Sequence, residues 1–162
     1  MKKGFTLIEI LVVLTIFGII ALIGGQILTA TIKGKNKAEA TAKVKSEGNY
    51  VISVMEREIH SAQNIINCTG NQIDYTDADG KQKTFYWDAQ GSTIKSGLLS
   101  SPQNLTSTYV SVITFTLCSP PTSPNTVTID FTLSKRTPSG STLRKDEQAQ
   151  VNFKTQILLR NQ

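Results

Sequence analysis

Few residues in this chain have the type and spacing to do chemistry, and the most conspicuous is a lone carboxylate. Glu9 follows a short apolar stretch and precedes residues 10–28, a run of nineteen with no charged side chain. A carboxylate in such company is costly to bury without a cation, so Glu9 is either wet at the headgroup level of a membrane or awaiting a partner. The single histidine, His60, has Glu56 and Glu58 nearby but lacks the further ligands of a metal site. Asp74, Asp77, Asp79 and Gly80 invite comparison with a calcium loop. They miss the EF-hand pattern, because its first ligand position falls on Tyr75 and its closing glutamate position on Tyr86. A hairpin turn fits Asp77-Ala-Asp-Gly80 better. Phosphate-loop, nucleophile-elbow and zinc-protease motifs are absent, as is a persuasive carboxylate pair. No metal, cofactor or catalytic role is expected.

Cys68 and Cys118 lie fifty residues apart with no CxxC. Two thiols cannot make a four-cysteine zinc site. They read as one disulfide if this part of the chain is exported, or as two buried free thiols. Asn67-Cys-Thr69 and Asn104-Leu-Thr106 fit the glycosylation sequon, a pattern that arises often by chance. Of the adjacent pair Tyr86 and Trp87, alternation on a strand turns one inward to the core.

The elements that carry these residues are readable from periodicity. Residues 10–28 span about 28 Å as a helix, close to the hydrocarbon thickness of a bilayer. The basic residues Lys2 and Lys3 precede the run, and Lys33, Lys35 and Lys37 follow it, as headgroup anchors do. The run is longer than the apolar centre of a secretory signal, and residues 28–30 make a poor cleavage site, so the segment is expected to stay with the protein. Helical spacing then continues through Val44, Gly48, Val51, Met55, Ile59, Ala62 and Ile66, with Lys43, Lys45, Glu47, Glu56, Arg57 and Glu58 on other faces. A single helix of about 85 Å results, half membrane-grade and half soluble-grade, with Gly34 as its weak point.

Beyond Asn67 the pattern changes to strands. Ile73 and Tyr75, then residues 83–88 and 93–95, read as a meander of three short strands, followed by a polar stretch with Pro102. Three cleaner strands show period-two alternation: Ile113, Phe115 and Leu117; Val127, Ile129, Phe131 and Leu133; Val151, Phe153, Ile157 and Leu159. Their joints at 119–124 and 137–147 are rich in Pro, Ser and Gly. An antiparallel sheet with one apolar face needs a cover, and the helical stripe of residues 38–62 supplies it. The fold class is α+β.

The string Lys2-Lys3-Gly4-Phe5-Thr6-Leu7-Ile8-Glu9 resembles the cleavage and methylation signal of type IV prepilins and type II secretion pseudopilins: a short basic leader, glycine before the cut, phenylalanine after it, glutamate four residues on, then a long apolar helix. The motif covers about the first 30 residues, and the helix-plus-sheet layout is consistent with the family over the rest. The resemblance implies a leader at 1–4, a transmembrane and assembly helix at 5–32, an amphipathic helix at 33–66 continuing into the globular part, and the pilin-fold sheet at 67–162. It implies that a prepilin peptidase cuts after Gly4, that Phe5 becomes an N-methylated terminus, and that Glu9 meets the terminal amine of a neighbouring subunit. Pairing of Phe5 with Glu9 within one chain stays open, since they are at i and i+4. Loss of Lys2 and Lys3 takes the formal charge from +5 to +3 before the new amine is counted.

The implied partners are the peptidase and methylase, other pilin or pseudopilin subunits, a membrane platform with an assembly ATPase, and the lipid bilayer before assembly. The implied location is the bacterial inner membrane with the C-terminal part outside, then a surface or periplasmic filament. The basic charge leaves nucleic-acid binding open without indicating it. Gly24-Gly25-Gln26 stands where many major pilins carry a proline, and Cys68 lies at the helix exit instead of near the C-terminus; both departures, with residues 55–60 and 156–160, look more like a minor subunit. The alternatives are a single-pass tethered binding module that never polymerises and, more distantly, a tethered enzyme.

Overall fold

The computed structural model of the chain describes Gly4 and residues 6–118, 126–137, 142, 144 and 147–159. One helix dominates it. Helix α1 runs Leu7–His60, 54 residues, about 80 Å at the standard rise. Continuity follows from composition: the segment contains no proline, and its glycines each meet open space or fit a packed position. In the apolar half, polar hydroxyls are satisfied inside the helix, Thr15 donating to Val12 O at 2.8 Å and Thr31 to Ile27 O at 2.8 Å. The two halves differ in burial. The large apolar side chains from Leu7 to Ile32 are all exposed, whereas Ala40, Val44, Gly48, Val51, Met55 and Ile59 form a buried stripe at three- and four-residue spacing.

The helix ends earlier than the apolar spacing suggests. Ser61 caps it, its N–H donating to Arg57 O at 3.2 Å, and Asn64–Thr69 forms strand β1 instead of a further helical turn. The expected amphipathic helix over 33–66 is thus helical only to His60. The β-branched pair Ile65-Ile66 fits both periods, and the pairing of Ile65 with Tyr75 decides for strand. Ala62 remains packed on the core while Ile66 is exposed.

The strands form two antiparallel meanders. The first sheet has the order β1-β2-β3-β4-β5, with β2 at Gln72–Thr76, β3 at Gln82–Asp88, β4 at Thr93–Leu98 and β5 at Ser101–Asn104. Its middle three strands are the predicted meander; β1 and β5 flank it, and Pro102 sits on the edge strand, where a missing N–H costs no ladder bond. The second sheet is β6 at Val110–Leu117, β7 at Thr126–Lys135 and β8 at Gln150–Leu158, the three strands with the clearest alternation. Helix α1 packs chiefly on β8 and β7. One continuous core joins the helix stripe to Ile73, Tyr75, Phe85 and Ile94 of the first sheet and to Phe115, Ile129, Phe131, Leu133, Phe153 and Ile157 of the second.

Candidate functional site

The N-terminal end of α1 is built by its own first turn. Thr6 is the N-cap, extended at φ −82° and ψ 151°. The Glu9 N–H donates to Thr6 Oγ1 at 3.4 Å, and the Thr6 N–H donates back to Glu9 Oε2 at 3.5 Å, a reciprocal capping box. Thr6-Leu7-Ile8-Glu9 spells that signature directly, and reading Glu9 only as an isolated charge overlooks it. The box puts a carboxylate where the helix dipole and the unpaired N–H groups of the first turn favour one. Both bonds are at the long limit of hydrogen-bond geometry, and a carboxylate has about four acceptor positions, so Glu9 keeps capacity for a further donor. Gly4 is exposed with no atoms crowding its Cα, and Phe5, Lys2 and Lys3 lie outside the described residues.

At the other end of the helix a charged cluster ties α1 to the first sheet. Lys83 Nζ lies 2.9 Å from Glu58 Oε2 and 3.1 Å from Asp77 Oδ2. Asp77 Oδ1 also accepts from the N–H groups of Lys81 and Asp79, both at 2.9 Å, closing the 77–80 turn in which Gly80 takes φ +79°. The Lys81 N–H, the Lys83 ammonium and the Asp79 N–H hold the Asp77 carboxyl below the usual range, and Glu58 with Asp77 raises Lys83. Burial, and then Glu58, push the buried Tyr75 hydroxyl well up. The two carboxylate oxygens of Asp77 are thus occupied by the chain's own donors, with Lys83 as the cation. Among the described residues no group of three or more metal-ligating side chains assembles.

Cys68 on β1 and Cys118, just past β6, come together with their Cα atoms 6.1 Å apart, a span a disulfide bridges. Beside them the Leu117 N–H donates across the sheets to Gly70 O at 2.8 Å. His60 is exposed at the helix end. Asn67 and Asn104 of the two sequons are exposed on β1 and β5. Trp87 packs against the core, while Tyr86 is half-buried with Lys95 Nζ 5.8 Å from its ring centre.

Two features therefore stand out: a capped, fully exposed apolar half-helix at one end, and a packed helix-and-sheet body at the other. Residues 1–25 match the family model described as the prokaryotic N-terminal methylation motif. No curated protein and no solved structure matches the chain. The motif match and the layout, one long N-terminal helix with an apolar half packed onward against antiparallel sheets, fit the type IV pilin and pseudopilin family. Helix α1 is long and apolar enough to cross a membrane.

Proposed function

We propose that the chain is a structural subunit, of minor rank, of a type IV pilus or type II secretion pseudopilus. A prepilin peptidase cuts it after Gly4, Phe5 is N-methylated, and assembly proceeds through the first half of α1. The observation that carries this reading is a coincidence of position. The methylation motif over 1–25 coincides with a half-helix whose large apolar side chains, from Leu7 to Ile32, are all exposed. Lipid covers that surface before assembly, and the helices of other subunits replace lipid in the filament. Glu9 is the one acid within that half, and its unsaturated carboxylate is suited to the methylated amine of a neighbouring Phe5, since methylation keeps the positive charge. The globular body then faces outward. The role is architectural, with the membrane platform and assembly ATPase of such systems as partners.

Intact mass spectrometry of the protein from its native membrane or filaments tests this. Loss of residues 1–4 with one added methyl supports prepilin processing. An uncut Met1, or a cut after Ala30, removes the filament reading and leaves a tethered or secreted domain.

A further inference from the structure

Where the end of β7 meets the first sheet, a cleft of about 320 Å³ opens between Asp88, Lys95 and Arg136. At about 30 Å³ per water, that space holds some ten waters, or one molecule the size of a monosaccharide. Its geometry is fixed by main-chain contacts, one between the two sheets and one that extends the β6–β7 pairing. The Val112 N–H donates to Ser92 O at 2.9 Å, the Arg136 N–H donates to Tyr109 O at 2.8 Å, and Ser92 is held at φ +50°, a region that non-glycine residues rarely occupy.

The charges in the cleft do not cancel. Asp88 is already engaged, by Lys95 Nζ at 2.9 Å and by the N–H groups of Gln90 and Gly91, both at 3.2 Å. The Arg136 guanidinium, half-buried, donates only to carbonyls: Nε to Val110 O and Nη2 to Gly91 O, both at 3.0 Å. Among the described residues no carboxylate lies within salt-bridge distance of it, and its Nη1 makes no hydrogen bond. A partly desolvated cation without a counter-charge is costly, and a guanidinium pinned through Nε and Nη2 holds its free Nη1 donors in a preset position for an anion. Neutral donors line the same cleft. Thr106 Oγ1 accepts from the Ile94 N–H at 3.2 Å, which leaves its own proton to give, and the Thr108 hydroxyl is unbonded among the described residues.

We propose that this cleft binds a small polar molecule through an oxyanion, a carboxylate or a phosphate, with Arg136 as the charge partner and Thr106 and Thr108 as hydroxyl donors. The site belongs to the globular body and is independent of assembly.

The test uses the full chain in dodecyl maltoside micelles, titrated calorimetrically at fixed ionic strength with glucuronate, inorganic phosphate and uncharged glucose. Saturable one-to-one binding of glucuronate or phosphate, with none for glucose, is the expected result. Tighter glucuronate assigns a carboxylate ligand, and tighter phosphate a phosphorylated one. Arg136→Gln should abolish binding, but Arg136 also ties the sheets together, so Asp88→Asn is the decisive variant. It removes the one negative charge among the described residues that line the cleft and is expected to tighten oxyanion binding by about threefold or more, a gain that misfolding does not produce. Glucose binding as well as glucuronate, no saturable binding of either anion, or unchanged or weaker binding by Asp88→Asn overturns the proposal. Because the binding is read on unassembled chain, none of these outcomes bears on the filament reading.

Discussion

The ring of Phe153 on β8 occupies the space that a side chain at Gly48 of α1 would fill: a Cβ built there would meet three atoms of the ring. Phe153 in turn stacks on Phe131 with ring centres 5.1 Å apart, so the helix reaches the second sheet through a column of Gly48, Phe153 and Phe131. The missing side chain at Gly48 is what makes room for the Phe153 ring against the helix.

Gly48→Ala sets two effects against each other. Alanine gains about 1 kcal/mol of helix propensity, and overpacking a closed core costs about 1–3 kcal/mol. Here the ring cannot swing away without leaving Phe131, so the clash wins and a net loss of stability is expected in denaturant unfolding of the full chain in micelles. Gly34→Ala is the internal control, since a Cβ there meets nothing within 4 Å. It should stabilise slightly. Equal effects at the two glycines would show that Phe153 does not set the packing.

Gly48 also marks how far the sequence could be read. Its place in the buried stripe is plain from spacing alone, as are Val44, Val51, Met55 and Ile59, because a 3.6-residue period survives without knowledge of the partner. The partner is not legible: nothing local in Phe153 points to Gly48, which lies 105 positions earlier (153 − 48). The two-sheet arrangement was hidden for a similar reason. Alternation identifies β6, β7 and β8, but the contacts that set one sheet against the other, such as Val112 N–H to Ser92 O, are main-chain and leave no mark in the side-chain pattern. The helix end is not legible from spacing, because Ile65 and Ile66 satisfy either period. The capping box was legible in Thr6 and Glu9, yet an unusual charge draws attention away from an ordinary cap.

Cys68 and Cys118 face each other where the two sheets meet, their Cα atoms 6.1 Å apart, beside the Leu117–Gly70 hydrogen bond. We expect a disulfide, seen as a 2 Da mass gain on reduction and as protection of both thiols from alkylation. A loop closed over a separation of fifty residues gives about 4 kcal/mol in the chain-entropy account, so reduction or a Cys68→Ser, Cys118→Ser double variant should lower stability by up to that amount. Two free, alkylatable thiols would leave the sheets joined by packing and by hydrogen bonds such as Val112 N–H to Ser92 O.

The Glu58–Lys83–Asp77 cluster sets a pH window. Asp77 titrates below its ordinary 3.8 in the fold, so its contribution is complete above that value and is lost as pH falls through the lower folded one. Lys83 is raised above 10.5, so its contribution is complete below that value and fades as pH rises past it. Tyr75, raised above 10.0, works in the same direction, because unfolding at high pH releases a proton that the fold retains. Stability measured by denaturant midpoint should therefore be flat from about pH 4 to pH 10 for these groups and fall on either side. Asp77→Asn keeps an acceptor for the turn but removes the charge, so it should lower stability on the plateau and flatten the acid limb. An unchanged acid limb in that variant would place the pH dependence elsewhere.

Glu9 has two possible duties, and one substitution separates them. As an N3 residue it caps α1, a role glutamine fills nearly as well. As the lone acid of an apolar half-helix it supplies charge for a neighbouring amine, and glutamine does not. Glu9→Gln should thus keep helix content by circular dichroism and keep cleavage after Gly4 by mass, while filament yield falls steeply. Truncating one side of a buried charge pair costs about 3–5 kcal/mol, which corresponds to more than a hundredfold in the assembly equilibrium. Thr6→Val is the complement: it breaks the cap, at about 1 kcal/mol, and leaves the charge in place, so assembly should persist with at most a modest loss. If Glu9→Gln assembled as wild type while Glu9→Ala did not, the carboxylate would be serving the helix end and the intersubunit pairing would have to be abandoned.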